Sequence, residues 1–174
     1  ANPGIIIVNI SGFGQEGPYA KRPGLDAAAQ AMGGWMSVTG HPNQPPTKTG
    51  LFAVDYMTGM YALIALQGAL YERERSGVGQ SVEACLLDSA VSVLLTGIPY
   101  QQLLHHTVSR MGNRDGVTAP ANVYQTKDGE WVLFIAGSDE FFKTFAMISE
   151  QEFLLEDERF GSIAKRLEHE DEVD

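Results

Sequence analysis

The sequence lacks the features of several classes of protein. It has one cysteine in 174 residues, so an internal disulfide framework is excluded, and the expected location is a reducing compartment, the cytoplasm. It has no run of about 18 apolar residues, so we expect no membrane-spanning helix and no membrane partner. It has 12 lysines and arginines against 22 aspartates and glutamates, a net charge of −10. A basic surface for nucleic acid is therefore not expected.

The two ends lack familiar signals. The chain starts at Ala1 without a methionine or a signal-peptide pattern, and a strand-like segment follows almost at once. Residues 150–174 carry ten acidic and three basic side chains, which is typical of a solvated helical face, and they end without a capping signal. We therefore expect a fragment that is truncated at both ends.

Hydrophobic periodicity predicts a mixed α/β fold. Ile5–Ile10 is a short apolar run near glycines, which is typical of a buried strand in a parallel sheet. Apolar residues recur at helical spacing in Tyr56–Arg75, and Ser76–Gly79 ends this helix. Further helices are predicted at Asp26–Met36 (weakened by Gly33-Gly34), Cys85–Leu95 (mostly buried) and Gln101–Arg110, and a helix capped by Ser138 is predicted to run to Ile148. Loops are predicted at His41–Thr49 and Met111–Pro120, and an extended segment at Gln80–Ala84. Asp128-Gly129 lies between two apolar runs, which predicts a hairpin of Asn122–Thr126 and Trp131–Ala136.

Three chemically suggestive features have simpler interpretations. Gly12–Gly17 fits the G-x-G-x-x-G pattern of dinucleotide loops, but nearby prolines leave no helix start to receive a pyrophosphate. A turn that can approach a ligand closely is favoured instead. Cys85 lies in an apolar helical pattern, which favours a core residue over a nucleophile. The adjacent His105 and His106 would point in different directions on a helix, and no metal site is predicted.

The local pattern leaves two roles open for Asp55. This residue follows the apolar segment Gly50–Val54 and directly precedes the long predicted helix. It would act as an N-cap, because free N–H groups and the macrodipole of a helix stabilise an anion at its start. Alternatively, a carboxylate kept ionised in apolar surroundings would be available to attack an acyl group.

Several short motifs spread along the chain are informative when they are taken together. They are Ile10–Tyr19, Arg22–Asp26, Gln30–Gly34, Ser37–Gly40, Asp55–Gly59, Arg73–Gln80, Leu86–Asp88, Arg110–Asn113 and Lys127–Gly129. In this order they resemble the class III CoA-transferases, the CaiB/BaiF and formyl-CoA transferase-like family. The resemblance extends over essentially the whole chain, and many spaced matches make it far more specific than one short motif.

The resemblance implies an enzyme that transfers coenzyme A between an acyl-CoA thioester and a carboxylic acid. Asp55, in the D-x-x-[ST]-G context of the family, would be the catalytic residue and would form a mixed anhydride and then an aspartyl-CoA thioester. Leu25, Asp26 and Gly59 would lie in the substrate pocket. For Asp26 a structural hydrogen bond to a loop is an equally open role. The resemblance implies no covalently bound cofactor and no metal, with coenzyme A and acyl-CoA as substrates.

Two alternatives to a CoA-transferase stay open. The α-methylacyl-CoA racemases of the superfamily carry a proton-transferring histidine where this chain has Leu25, and leucine cannot move a proton, so an isomerase is disfavoured. Formyl-CoA transferase has tyrosine there, and its glycine-rich active-site loop has no counterpart between Arg110 and Val123, so a larger or less polar acyl group is favoured. The other alternative is a truncated, non-catalytic member that acts as a binding or oligomerisation module.

The resemblance also implies a division of the chain. Residues 1–110 would form the central part of a Rossmann-like, CoA-binding large domain with the catalytic aspartate and long helices. Residues 111–174 would form a linker and the start of a small α/β domain. Full-length relatives form interlocked dimers, so we expect a homodimer or self-association.

Overall fold

The computed structural model describes residues 2–95 and 97–174. The chain divides into two compact units, with the boundary between Arg110 and Met111. The fold is a mixture of helices and strands, as the sequence predicts. Assignment of the first unit to a CoA-binding domain stays a prediction.

In its described residues, the first unit contains a parallel strand pair and five helices. Its elements are β1 (Ile7–Ser11), α1 (Asp26–Met32), α2 (Trp35–Val38), α3 (Ala53–Ser76), β2 (Ser81–Cys85), α4 (Leu86–Ser92) and α5 (Gly97–Leu104). The register of β1 and β2 pairs Ile7 with Ser81 and Ser11 with Cys85. Parallel strands need a long crossover, and α3 supplies it while packing against both strands and α4.

The predicted burial of the strand at Ile5–Ile10 is wrong in this chain. The side chains of Ile5, Ile7 and Ile10 are 55%, 49% and 58% exposed. Within the described residues this sheet has two strands, so each strand has one edge without a neighbouring strand. An apolar run of this kind is buried only when a parallel sheet has further strands and helices on both faces.

Small residues allow close packing at the centre of the first unit. Its core consists of Ala29, Val54, Leu86 and Ala90, with Trp35 packed against it. The Trp35 Nε1–H donates to the Ala90 carbonyl oxygen at 2.8 Å. Packed alanines bring α1, α3 and α4 together around the start of α3.

Four helix predictions differ from the structure in their bounds, and the long helix α3 begins at Ala53 instead of Tyr56. The predicted helix at Asp26–Met36 is interrupted at Gly33 and Gly34, where Gly34 has a φ of 92°. The observed helix α4 is shorter than the predicted helix Cys85–Leu95. The predicted helix Gln101–Arg110 is wrong beyond Leu104, because α5 ends there and His105 has a φ of 52°. A non-glycine residue with such a φ cannot continue a right-handed helix.

The second unit contains the predicted hairpin and three helices. Strands β3 (Ala121–Gln125) and β4 (Trp131–Ile135) pair antiparallel and are followed by α6 (Asp139–Ile148), a 3₁₀ turn at Glu152–Leu155, α7 (Ile163–Glu168) and α8 (Glu170–Val173). The hairpin is confirmed, as is the cap of α6, where Ser138 Oγ accepts a hydrogen bond from the Phe141 N–H.

A buried arginine joins the parts of the second unit. The guanidinium of Arg166, with 1% of the residue exposed, donates to the carbonyl oxygens of Ala119 and Phe160 and to Asp139. It also lies over the ring of Phe142, at 4.4 Å from its centroid. Each nitrogen of the guanidinium donates a hydrogen bond, and a buried charge is tolerated when it is paired in this way.

Among the helices of residues 2–95 and 97–174, none combines the length and the apolar content needed to cross a bilayer.

Candidate functional site at the start of the long helix

The start of α3 is held by a side chain that is distant in sequence. Asp26, 4% exposed at the start of α1, accepts two hydrogen bonds through Oδ2. The donors are the backbone N–H groups of Val54, at 2.8 Å, and Asp55, at 3.0 Å. A helix leaves its first N–H groups without internal partners, and a carboxylate at that end satisfies them and interacts favourably with the macrodipole. Asp26 therefore caps α3 through a tertiary contact.

Asp55 itself is the third residue of α3. The N-cap position belongs to Phe52, so the prediction that Asp55 is the N-cap is wrong. The Asp55 side chain is exposed, and its carboxylate makes no hydrogen bond within the described part of the chain. The side chains of Phe52 and Tyr56 beside it are also exposed. Asp55 thus presents a carboxylate without a partner among the described residues, from a helix start that is hydrogen-bonded to Asp26.

The backbone amides around Asp55 are already engaged. The N–H groups of Val54 and Asp55 bind Asp26, and the N–H of Tyr56 donates to the Phe52 carbonyl oxygen at 3.2 Å. These three groups are consequently not free to stabilise an oxyanion next to Asp55. Donors for that purpose have to come from other groups.

The structure places the remaining predicted pocket residues close to this helix start. Leu25, directly before Asp26 and 75% exposed, forms no part of the core. Gly59 follows Asp55 by one helical turn on the same face of α3, and the space where a Cβ would stand is open. Thr58, in contrast, is fully buried and donates to the Val54 carbonyl oxygen at 2.8 Å, so it faces the core.

The glycine-rich segment serves the packing of the chain itself. No helix begins after Gly12–Gly17 until α1, and a Cβ added at Gly12 would lie 2.5 Å from the Cα of Gly24. The loop is tightened where the Gly14 N–H donates to Ser11 Oγ at 3.0 Å. The contact of Gly12 with Gly24 gives a physical reason for glycine here that involves no phosphate.

A cleft of about 500 Å³ opens next to this loop. Loop residues 13–16, the end of β2, α4 and Tyr61 of α3 line it, and Glu16, Glu83 and Asp88 are its acidic residues. Asp55 is not among the residues that line it. Sequence reasoning did not find this cleft, because its walls come from three separate segments of the chain.

Cys85 has a core position although it borders the cleft, and His105 and His106 lie outside a helix. Cys85 is 5% exposed, which confirms the predicted core role, and burial raises the pKa of its thiol. His105 and His106 lie beyond the end of α5, where both are exposed. In the part of the chain that the structure describes, no three His, Cys, Asp or Glu side chains are arranged to hold a metal ion.

Sequence reasoning also missed Gln30, the fully buried neighbour of Asp26. Its side chain bonds to Asp26 and to the segment that enters α3. The one available signal was its spacing of four residues from Asp26, which places both side chains on the same face of a helix.

Comparison with known proteins gives consistent results. The sequence profile of CoA-transferase family III matches residues 1–174. The succinyl-CoA–D-citramalate CoA-transferase of Chloroflexus aurantiacus is 38% identical over 99% of this chain and 43% of its own length. The succinate–glutarate CoA-transferase of Agrobacterium fabrum is 37% identical over 99% of this chain and 43% of its own length.

A solved structure agrees in fold. The crystal structure of a CAIB/BAIF family protein from Brucella suis has a TM-score of 0.84 and 36% identity, over 97% of this chain and 44% of that one. The chain therefore spans less than half the length of the relatives that it matches.

Proposed function

The chain belongs to CoA-transferase family III, which confirms the resemblance seen in the sequence, and we propose that the full-length protein transfers coenzyme A between an acyl-CoA thioester and a carboxylic acid with Asp55 as its covalent nucleophile. The observation that carries this proposal is the exposed Asp55 carboxylate, free of hydrogen bonds to the described residues, on a helix start fixed by Asp26. A nucleophile has to be both accessible and oriented.

The proposed reaction proceeds through covalent intermediates on Asp55. Its carboxylate attacks the thioester carbonyl, the C–S bond breaks, and a mixed anhydride and CoA thiolate form. The thiolate then attacks the aspartyl carbonyl, which releases the first acid as its carboxylate and leaves an aspartyl-CoA thioester. The acceptor carboxylate attacks this thioester, and the freed thiolate takes the acceptor acyl group from the second anhydride. Asp55 is restored, and no net proton is consumed.

The substrates we propose are a succinyl-CoA donor and a dicarboxylic acid acceptor. Two relatives are named for succinyl-CoA or succinate together with D-citramalate or glutarate. The exposed Leu25 suits an acyl group larger than formyl, which is in keeping with a four-carbon donor. The cytoplasmic location and the homodimer stay predictions.

The alternatives have less support. Relatives that match this chain over almost its whole length are named as CoA-transferases. An isomerase needs a proton carrier at the place of Leu25, and leucine has no proton to give. No contact in the described residues favours a purely structural role over the catalytic one.

The proposal is tested by mixing the full-length protein with succinyl-CoA and measuring its intact mass, followed by peptide mapping. We expect a CoA adduct on the peptide that contains Asp55. In Asp55→Asn the adduct is lost and turnover falls by more than about 1,000-fold, because a neutral amide cannot take the place of the nucleophile. The control is Glu74→Gln, which makes the same chemical change at an exposed position of α3 and should retain turnover. An undiminished adduct in Asp55→Asn refutes the assignment.

A further inference from the structure

One fully buried amide lies behind the candidate site. Gln30 of α1 has no exposed surface, and both polar atoms of its side chain are bonded. Its Nε2 donates to Asp26 Oδ1 at 2.5 Å and to the Leu51 carbonyl oxygen at 3.3 Å, and its Oε1 accepts from the Thr49 N–H at 2.8 Å. A buried amide with both ends satisfied is geometrically constrained, because any rotation leaves a polar group unpaired.

These bonds form a continuous connection to Asp55. Gln30 binds Oδ1 of Asp26, while Oδ2 of the same carboxylate accepts the N–H groups of Val54 and Asp55. The carboxylate is planar, so an orientation imposed on one oxygen fixes the other. Gln30 therefore determines the direction from which Asp26 holds the backbone of the nucleophile.

The same amide holds the segment that leads into α3. Thr49 and Leu51 bind Gln30 through their backbone, and Leu51 directly precedes Phe52, the N-cap residue. The approach to the helix and its first turn are thus both tied to one side chain. The hydrogen bonds between α1 and the start of α3 join residues that lie 19 to 29 positions apart, so the local sequence alone does not bring them together.

We propose that Gln30 is a positioning residue for Asp55: through Asp26 and the 49–51 segment it holds the nucleophile in the orientation needed to attack the thioester. This inference rests on the proposed function, since it assigns Gln30 a role in the step that Asp55 performs. Gln30 does not touch the reacting atoms, because it is buried beneath the helix start. A misplacement of a reactive group by about 1 Å costs about 100-fold in rate.

The first experiment uses Gln30→Leu in the full-length protein. Leucine has a similar volume but can make none of the three hydrogen bonds. We expect the single-turnover rate of aspartyl-CoA formation from succinyl-CoA to fall by about 100-fold, with the KM for succinyl-CoA changed by less than about threefold. The control Gln151→Leu makes the same substitution at an exposed position of the second unit and should acylate at the wild-type rate.

The second experiment exchanges the two interacting groups. In Asp26→Asn/Gln30→Glu, the asparagine oxygen can still accept from the Val54 and Asp55 N–H groups, and its amide can donate to the new carboxylate. The second oxygen of that carboxylate can accept from the Thr49 N–H, whereas the hydrogen bond to the Leu51 carbonyl oxygen is lost. We expect the exchanged pair to acylate about tenfold faster than the slower of the two single variants, because contacting residues couple. A merely structural need for bulk would give no such rescue.

The outcomes separate the two proposals. Wild-type acylation in Gln30→Leu, or an exchanged pair no faster than the slower single variant, overturns the positioning role. If Gln30→Leu fails to fold, the exchanged pair decides the question alone. An adduct that persists in Asp55→Asn instead overturns the proposed function itself.

Discussion

At the scale of single residues, two aspartates at one helix start have opposite environments. Asp26 is buried, and both its carboxylate oxygens accept hydrogen bonds, whereas Asp55 is exposed and its carboxylate has no partner in the described chain. A carboxylate with three N–H donors is committed to structure. The one without partners is available for chemistry. The sequence alone gives both the same letter and cannot assign these roles.

The reactivity of Cys85 is predicted at the same scale. Burial raises the pKa of its thiol, although a backbone hydrogen bond at Asp88 opposes this, so less thiolate is present at neutral pH than in an ordinary cysteine. We expect alkylation by iodoacetamide at pH 7 to be slower in the native protein than in urea, and to speed up as the pH rises and more thiolate forms. Mass spectrometry of the Cys85 peptide measures this. Equal labelling in both states would contradict the buried position.

At the scale of secondary-structure elements, α3 has an unusual distribution of side chains. Its buried residues are Val54, Thr58, Ala62 and Ala69, all of them small or medium-sized. Its larger apolar residues, including Met60, Leu63, Ile64 and Tyr71, are exposed. A helix that is apolar on every face is typical of one that is surrounded by protein. Small residues let α3 approach the strands closely.

The end of α3 gives a prediction with a matched control. Gly77 has a φ of 74°, and its N–H donates to the Arg73 carbonyl oxygen at 2.8 Å. Gly77→Ala should reduce the stability of α3 by about 1 kcal/mol, because a Cβ is disfavoured in the left-handed region. Gly68→Ala, in the helix interior with no atom near its Cβ position, should increase it by about 0.5–1 kcal/mol. Hydrogen exchange along α3 measures both, and the same sign for both would contradict this account.

An element can be predicted from the sequence when the residues that start or end it are its neighbours in the chain. The end of α3 and the cap of α6 come from Gly77 and Ser138, which act on neighbouring residues, and both were predicted from sequence. The true start of α3, three residues before the predicted Tyr56, was not predicted. Its cap is Asp26, which lies 28 residues before Val54 in the chain.

At the scale of the whole molecule, the main fact is length. The chain spans 43% of the first relatives that it matches. Its strand pair β1–β2 has exposed isoleucines, and α3 has a large exposed apolar face. A large exposed apolar surface usually marks an interface.

We predict that the 174-residue chain by itself self-associates. Unpaired strand edges and an apolar helix face both favour contacts between copies. Met60→Lys/Ile64→Lys places two charges on one face of α3 and should shift the mass measured by light scattering towards the monomer. Glu74→Lys, at the polar end of the same helix, is the control and should not. A monodisperse monomer of the unmodified chain would refute the prediction.

The sequence by itself determined the α/β class, the hairpin, the end of the long helix and the family, because these depend on periodicity, on turn residues and on many spaced motifs. Tertiary structure decided which carboxylate is buried, that Gln30 supports Asp26, and that Ile5–Ile10 is exposed in this chain. The physical reason is distance along the chain. Hydrogen bonds between Gln30 and Thr49, or between Asp26 and Asp55, join residues 19 and 29 positions apart, and only the packed fold brings them together.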